Sequence, residues 1–305
     1  LKIGTSINTY FQGTKLDGVI LLGDRYEILS IASLVKIYNI PIIHLHGGES
    51  TYSLIDESIR HSITKLACLH FTSHHKYKSR LVKMGENPKN IFNFGGLGAS
   101  NIKKTKLLQL NLIEKKLKIK IKKKYFLITF HPITLYNNKT KIEFINLLEA
   151  LNKFKDTTFI FTSPNLDVDY QIIIKLIKEF QKKNKNSYFF KSLGSKVYYS
   201  LMKHSSAVVG NSSSGILEAP SFNVPTVNIG GRQDGRIQAI SVINSKGEAK
   251  NIETALKKAL SQKFKHKLKG NINPYYKKNT EIKIANMIKF KNLKEINKKF
   301  FYEKN

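Results

Sequence analysis

The stretch Ile40-Pro41-Ile42-Ile43-His44-Leu45-His46-Gly47-Gly48-Glu49, followed by Ile55-Asp56-Glu57-Ser58-Ile59-Arg60-His61, decides the fold. An apolar run ends in a glycine turn, and a helical pattern follows. That is a strand feeding a helix, the repeating unit of a parallel sheet. The turn carries the chemistry. From His44 to His61, three imidazoles, three carboxylates and one guanidinium fall within eighteen positions. An open α/β sheet gathers its functional groups there, at the carboxyl ends of its strands.

The same alternation extends in both directions. Gly18–Gly23 reads as a buried strand, 27–38 as a helix, 40–45 as a strand and 56–66 as a helix. Leu69–Thr72 is a short strand, 75–84 a helix, and 90–94 a closing strand. Residues 102–124 form a lysine-rich connection, partly helical, in which Lys115–Lys124 reads as a basic surface segment or linker. The pattern then restarts. Strands are expected at 125–130, 157–162, 188–190, 207–209 and 226–229, with helices at 141–154 and 170–181. The fold class is therefore α/β, with two Rossmann-like domains and a cleft between them expected to hold the active site. The boundaries are 1–103, 104–274 and a basic helical tail, 275–305, packing back across the domains. The opening Leu1-Lys2-Ile3-Gly4 looks like the middle of a helix-to-strand unit, so the first domain is expected to be incomplete.

Composition removes several functions. The chain has 305 residues and a formal charge of +31, from 52 Lys+Arg against 21 Asp+Glu. A nucleic-acid reader concentrates arginine and aromatics in one patch. Here only Arg25, Arg60, Arg80, Arg232 and Arg236 are arginine, and lysines are scattered through Ile- and Asn-rich sequence. The charge therefore reads as lysine bias on solvated faces. No run of about 18 apolar residues suggests a membrane span. One cysteine, Cys68, fits a reducing compartment, and the cytoplasm is expected. No zinc-type spacing is present, so neither metal nor cofactor is expected.

Asp24, in Gly23-Asp24-Arg25, ends the first strand, where an acid points into a cleft; the ordinary alternative is a helix N-cap. Asp56 and Arg60 share one helical edge, as do Glu57 and His61. Alone these would be surface ion pairs of about 0.3–0.5 kcal/mol. Beside Glu49 and the two strand-end histidines they read as a site. Crowded carboxylates there split their pKa values into acid and base roles. His131, in Phe130-His131-Pro132, and Asn165, in Ser163-Pro164-Asn165-Leu166-Asp167, end strands of the second block. Gly210-Asn211-Ser212-Ser213-Ser214-Gly215 joins a strand to a helix, where hydroxyls and free N–H groups suit a diphosphate. Glu218 follows as an acceptor for ribose hydroxyls. Arg232, after Gly230-Gly231, supplies positive charge.

These residues together resemble a known family. GDRYE (23–27), IPIIHLHGGE (40–49), IDESIRHSITKLACLHF (55–71), FHP (130–132), SPNLD (163–167) and GNSSSGILEAPSFNVPTVNIGGRQDGR (210–236) are similar, in order and spacing, to the hydrolysing UDP-N-acetylglucosamine 2-epimerases of sialic-acid- and legionaminic-acid-type sugar synthesis. The resemblance implies a GT-B-like fold and anti elimination of UDP across C1–C2 to a 2-acetamidoglucal. Water then adds, giving free N-acetylmannosamine. It implies catalytic roles for Asp24, His46, Glu49, Asp56, Glu57, Arg60 and His131. Arg25, Asn165, Asn211, Ser212, Ser213, Glu218 and Arg232 are implied to bind substrate or nucleotide. The expected partner is a UDP-sugar, with neither nucleic acid nor membrane, and the expected assembly is a homo-oligomer.

Two departures stand out. Some relatives carry Glu where this chain has His46, so either His46 or Glu49 is the base. The family also begins with a strand and a Gly-Thr-Arg loop that this chain lacks, about two βα units of roughly 30 residues each. Two other readings remain: a retaining GT-B glycosyltransferase, and a basic nucleic-acid-binding module. The sugar is left open among UDP-N-acetylglucosamine, a UDP-diacetamido-trideoxy sugar and a GDP-linked version.

Overall fold

The computed structural model describes residue 6 and residues 9–11, 13–52, 54–133 and 139–303. The opening Leu1–Gly4 lies outside these. The chain forms two compact units. One contains Leu1–Thr51, Ile55–Ser100 and Tyr275–Asn305; the other contains Tyr52–Leu54 and Asn101–Pro274.

In the first unit, β1 (Val19–Leu22), α1 (Tyr26–Ile37), β2 (Ile42–Leu45), α2 (Asp56–Leu66), β3 (Leu69–Thr72), α3 (His75–Lys83) and β4 (Ile91–Asn93) alternate, and α4 (Leu97–Lys104) leads out. The strands pair in parallel, in the order β1-β2-β3-β4. Residues Ile42 to Leu45 and Leu69 to Thr72 are all buried, as strands covered on both faces must be. One face packs Leu21, Ala32, Val35, Ile42 and Ile63.

Reading Gly18–Gly23 as a fully buried strand is wrong. Leu21 is buried, but Ile20 is 55% and Leu22 53% exposed. Among the described residues β1 is the outermost strand, and Ile20 and Leu22 lie on the face opposite Leu21 that these residues leave uncovered.

The second unit contains α5 (Leu110–Leu117), β5 (Lys124–Thr129), α6 (Lys139–Leu151), β6 (Thr157–Thr162), α7 (Tyr170–Lys183), β7 (Ser187–Phe190), α8 (Gly194–His204), β8 (Ala207–Gly210), α9 (Ser214–Leu217), β9 (Thr226–Ile229), β10 (Val242–Ser245), α10 (Ala249–Leu260) and α11 (Gln262–Lys267). Its sheet is parallel, in the order β10-β9-β8-β5-β6-β7. The chain builds outward from β5 through β6 and β7, then returns to β5's other side with β8. The β5/β8 seam is therefore the topological switch point, where open sheets bind ligands. Alternation along β5 feeds two cores. Phe126 and Ile128 pack with Phe144, Leu147 and Leu256, while Tyr125 and Leu127 pack with Ile113, Val197 and Leu201. Burying each such side chain contributes about 1.5–3 kcal/mol.

The lysine-rich connection is less of a linker than its composition implies. Ile113 and Ile119 anchor it in the second core, leaving the lysines between them to solvent. The elements β10, α8 and α10 were not read from the sequence.

Among the described residues the tail carries two helices. Its helices α12 (Thr280–Phe290) and α13 (Leu293–Ile296) belong to the first unit. Ile284 is buried with Ile43, Leu45, Leu69 and Phe71, covering the face opposite α1 and α2. Further on, Lys299 Nζ donates to the carbonyls of Thr64 (3.0 Å), Lys65 (2.8 Å) and Ala67 (2.8 Å). These carbonyls lie at the carboxyl end of α2, where a cation is favourable. Lys299 also pairs with Glu86 at 2.6 Å.

Candidate active site

Two clusters meet the chemical expectation, one in each unit. In the first, Arg60 is the organiser. It lies on the inward face of α2 and is 1% exposed. Its Nε donates to Asp24 Oδ2 at 2.9 Å, and Nη2 pairs with the same oxygen. Nη1 donates to the Glu49 carbonyl and to Glu57 Oε2, both at 2.8 Å, and Nη2 to Thr51 Oγ1 at 2.9 Å. A buried guanidinium demands this many acceptors, and its planar fork fixes their positions. Arg60 therefore pairs with Asp24 and Glu57, beyond the Asp56 partner that helical spacing offered. The Glu57–His61 pair does form, at 3.2 Å.

Asp24 is not a helix cap. Arg25 holds the N-cap position of α1 without a side-chain cap bond, pairs with Glu27 at 3.5 Å and lies over the Tyr26 ring. Asp56 opens α2, where the helix dipole favours a carboxylate. Burial alone would raise the Glu57 pKa. Hydrogen bonds from His61 and the Thr51 N–H, with the Arg60 charge, outweigh that and hold it at about 2.

The two strand-end histidines have different fates. His44 is fully buried; Nε2 donates to the Gly23 carbonyl at 2.9 Å, and Nδ1 faces Thr64 Oγ1 at 3.2 Å. Burial lowers its pKa to about 3, so it is a neutral structural ring. His46 sits on the turn itself at φ 66°, a conformation a non-glycine residue adopts only when its surroundings impose it. Gly48 follows at φ +78°, where a Cβ would lie 2.7 Å from the Tyr77 carbonyl. The turn directs His46 Nδ1 to Glu49 Oε1 at 2.9 Å, and Ser73 Oγ donates to that oxygen at 2.7 Å. A carboxylate only accepts, so Nδ1 carries the proton and the neutral ring keeps its lone pair on Nε2. Glu49 is 3% exposed and the His46 side chain 18%, so the ring is the more accessible of the two.

The second cluster lies at the β5/β8 seam. Asn211 clasps the backbone of His131: its Oδ1 accepts from the His131 N–H at 2.7 Å, and its Nδ2 donates to the His131 carbonyl at 2.9 Å. The Asn165 N–H donates to His131 Nδ1 at 3.0 Å, which puts the neutral ring's proton on Nε2. A cavity of about 370 Å³ opens beside them, lined by His131, Ser212, Ser214, Tyr198, Tyr199 and Glu218 among others. Tyr198 Oη and Ser214 Oγ are 2.7 Å apart, and Ser214 Oγ donates to Ser212 Oγ at 3.2 Å. Burial raises Glu218 to about 7, against the lowering effect of the Tyr199 hydroxyl at 3.0 Å.

Several sequence expectations shift here. Ser214, rather than Ser213, joins Ser212 on the cavity wall. Asn211 is fully buried, and its amide is taken up by His131. Arg232 is 6% exposed and donates to the Asn211 carbonyl at 3.2 Å, so it braces the loop from behind. The helix after the serines is a single turn, Ser214–Leu217, which leaves little dipole to bind an anion. Thr51, Ser73, Tyr198 and Tyr199 were missed. Ser73 had a signal, since it follows the carboxyl end of β3; the tyrosines, mid-pattern on α8, had none.

Among the described residues, no three His, Cys, Asp or Glu side chains are grouped to hold a metal, and no helix is long and apolar enough to cross a membrane.

The chain is similar to known proteins. The family model for UDP-N-acetylglucosamine 2-epimerase matches residues 2–289. A GDP/UDP-N,N'-diacetylbacillosamine 2-epimerase (hydrolyzing) of Campylobacter jejuni is 44% identical over 84% of this chain and 66% of its own length. The polysialic acid biosynthesis protein P7 of Escherichia coli is 41% identical over 98% of this chain and 76% of its own length. The chain thus spans about two thirds to three quarters of these relatives. The structure of UDP-GlcNAc 2-epimerase from Neisseria meningitidis bound to UDP-GlcNAc superposes with a TM-score of 0.80, at 20% identity, over 94% of this chain and 80% of that one. At that identity the likeness shows the fold, which is GT-B-like. With a family model covering nearly its whole length, this chain belongs to the UDP-N-acetylglucosamine 2-epimerase family.

Proposed function

We propose that this protein is a hydrolysing 2-epimerase of a nucleoside-diphosphate-linked 2-acetamido sugar. The observation that carries the reading is the His46–Glu49 pair, a base with its orienting carboxylate, within a family whose chemistry begins with a weakly acidic C2–H. His46 Nε2 takes the C2 proton while Glu49 stabilises the imidazolium through Nδ1. The C1–O bond to the diphosphate breaks, and a 2-acetamidoglucal forms. Water then returns a proton to C2 from the opposite face and a hydroxyl to C1. The net reaction is nucleotide sugar plus water to free 2-epimer plus nucleoside diphosphate. Asp24, Asp56 and Glu57 are the remaining candidate acids, with Arg60 fixing Asp24 and Glu57 rather than reacting itself.

In the second unit, the Nε2–H of His131 and the Ser212 and Ser214 hydroxyls are suited to the leaving diphosphate, whose negative charge builds as the bond breaks. Glu218 is suited to the ribose. The relatives' names favour either UDP-N-acetylglucosamine or a diacetamido-trideoxy sugar as donor. The glycosyltransferase and nucleic-acid readings gain nothing from them. A cytoplasmic homo-oligomer completes the proposal.

The test is incubation of the full chain with each UDP-sugar, without acceptor, in D2O. Release of free sugar deuterated at C2 is expected. Intact donor, or sugar released without deuterium, would overturn the mechanism.

A further inference from the structure

We propose that Tyr199 is a positioning residue of the second unit's cavity: its hydroxyl holds one oxygen of Glu218 so that the carboxylate presents the other to the ribose of a bound nucleoside diphosphate. The inference rests on the functional reading above and adds a residue to it.

Glu218 is the only carboxylate lining that cavity among the described residues, and no lysine or arginine lines it. Tyr199 Oη donates a hydrogen bond to Glu218 Oε1 at 3.0 Å. The Tyr199 side chain is well fixed to deliver it. The residue is 8% exposed on α8, with its ring 6.4 Å from Phe222 and 6.2 Å from Tyr198 between centroids. Burial and the neighbouring carboxylate raise the Tyr199 pKa, so the hydroxyl keeps its proton and remains a donor. A ribose diol offers two more O–H donors, which an ionised carboxylate accepts and a protonated one accepts poorly.

The groups facing Glu218 are Tyr198 and Tyr199 from α8, His131 from the end of β5, and Ser212 and Ser214 after β8. Of these, the Tyr199 bond is what lowers its pKa against burial. Nucleotide affinity is therefore expected to fall as pH drops through about 7. Losing the Tyr199 hydroxyl moves that fall to higher pH.

Calorimetry of the full chain with UDP and with 2′,3′-dideoxyuridine diphosphate, from acid to mildly alkaline pH, tests this. Tyr199→Phe keeps the packed ring and removes only the donor. It is expected to weaken UDP about 10-fold at neutral pH, leave the dideoxy ligand unchanged and raise the pH midpoint. Tyr198→Phe, whose hydroxyl meets Ser214, should leave the midpoint in place. Glu218→Gln should remove the part of the pH dependence that UDP shows and the dideoxy ligand lacks. An unchanged UDP affinity and midpoint in Tyr199→Phe, or equal loss of both ligands, overturns the proposal while the epimerase reading stands. No UDP binding by the wild type at any pH overturns both.

Discussion

Nδ1 of His46 lies 2.9 Å from Oε1 of Glu49, and Ser73 Oγ donates to the same oxygen at 2.7 Å. Sequence alone left these two residues as rivals for one role. The geometry pairs them, and the proposed mechanism has the more accessible ring react while the buried carboxylate orients it.

Replacing His46 with Ala should therefore cut turnover at least about 100-fold, the usual scale for an acid–base group. Glu49→Gln should cost less and retain slow C2 exchange, because the ring survives with weaker orientation. The readout is proton–deuterium exchange at C2 by NMR. Normal exchange in His46→Ala with complete loss in Glu49→Gln would make Glu49 the base.

Arg60 is bound to more acceptors than its charge neutralises. Arg60→Met leaves Asp24 and Glu57 without their shared cation and should destabilise the fold by about 3–5 kcal/mol. Arg60→Lys should recover only part, since an ammonium lacks the fork. Urea unfolding of the three proteins measures this; equal stabilities would show that the network contributes nothing.

The pH dependence of stability has a defined direction. Glu57 titrates at about 2 when folded, below its ordinary 4.5, so its contribution is complete above about 4.5 and is lost as pH falls towards 2. Glu86, held by burial-opposing bonds from His70, Lys299 and Lys65, is also lowered to about 2 and adds in the same window. His44, neutral and buried, begins to oppose folding once pH falls below its ordinary 6.5. The stability gap between wild type and Glu57→Gln should narrow as pH drops from 4.5 to 2. A gap that stays constant excludes a titrating Glu57 as its source.

In the cavity proposed for the nucleotide, Glu218→Ala should weaken UDP binding by about 1–3 kcal/mol, the scale of charged hydrogen bonds. Ser212→Ala should weaken it by about 1 kcal/mol, and Ser213→Ala by much less, because Ser213 is off the cavity wall. A larger effect at Ser213 than at Ser212 would mean that the loop changes course when ligand binds.

Local pattern determined a good deal of this protein. Apolar runs ending in glycine or histidine, each followed by a 3.6-residue repeat, specify parallel βα units, and α2, β3 and β6 begin and end where that pattern places them. The position of Asp24, His46 and His131 at strand ends marked them as site residues, because strand ends are where a parallel sheet exposes functional groups. Relations between distant residues were decided only by the tertiary structure. Helical spacing cannot show that packing buries Arg60 against Asp24, nor a loop sequence that the Asn211 amide clasps the His131 backbone. Tyr199 joins Glu218 only because α8 packs beside the β5/β8 seam, and the tail became part of the first unit because Ile284 fills a sheet face that periodicity cannot identify. A hydrogen bond depends on angstrom-scale placement across the fold, whereas a sequence period encodes only which way each side chain faces on its own element.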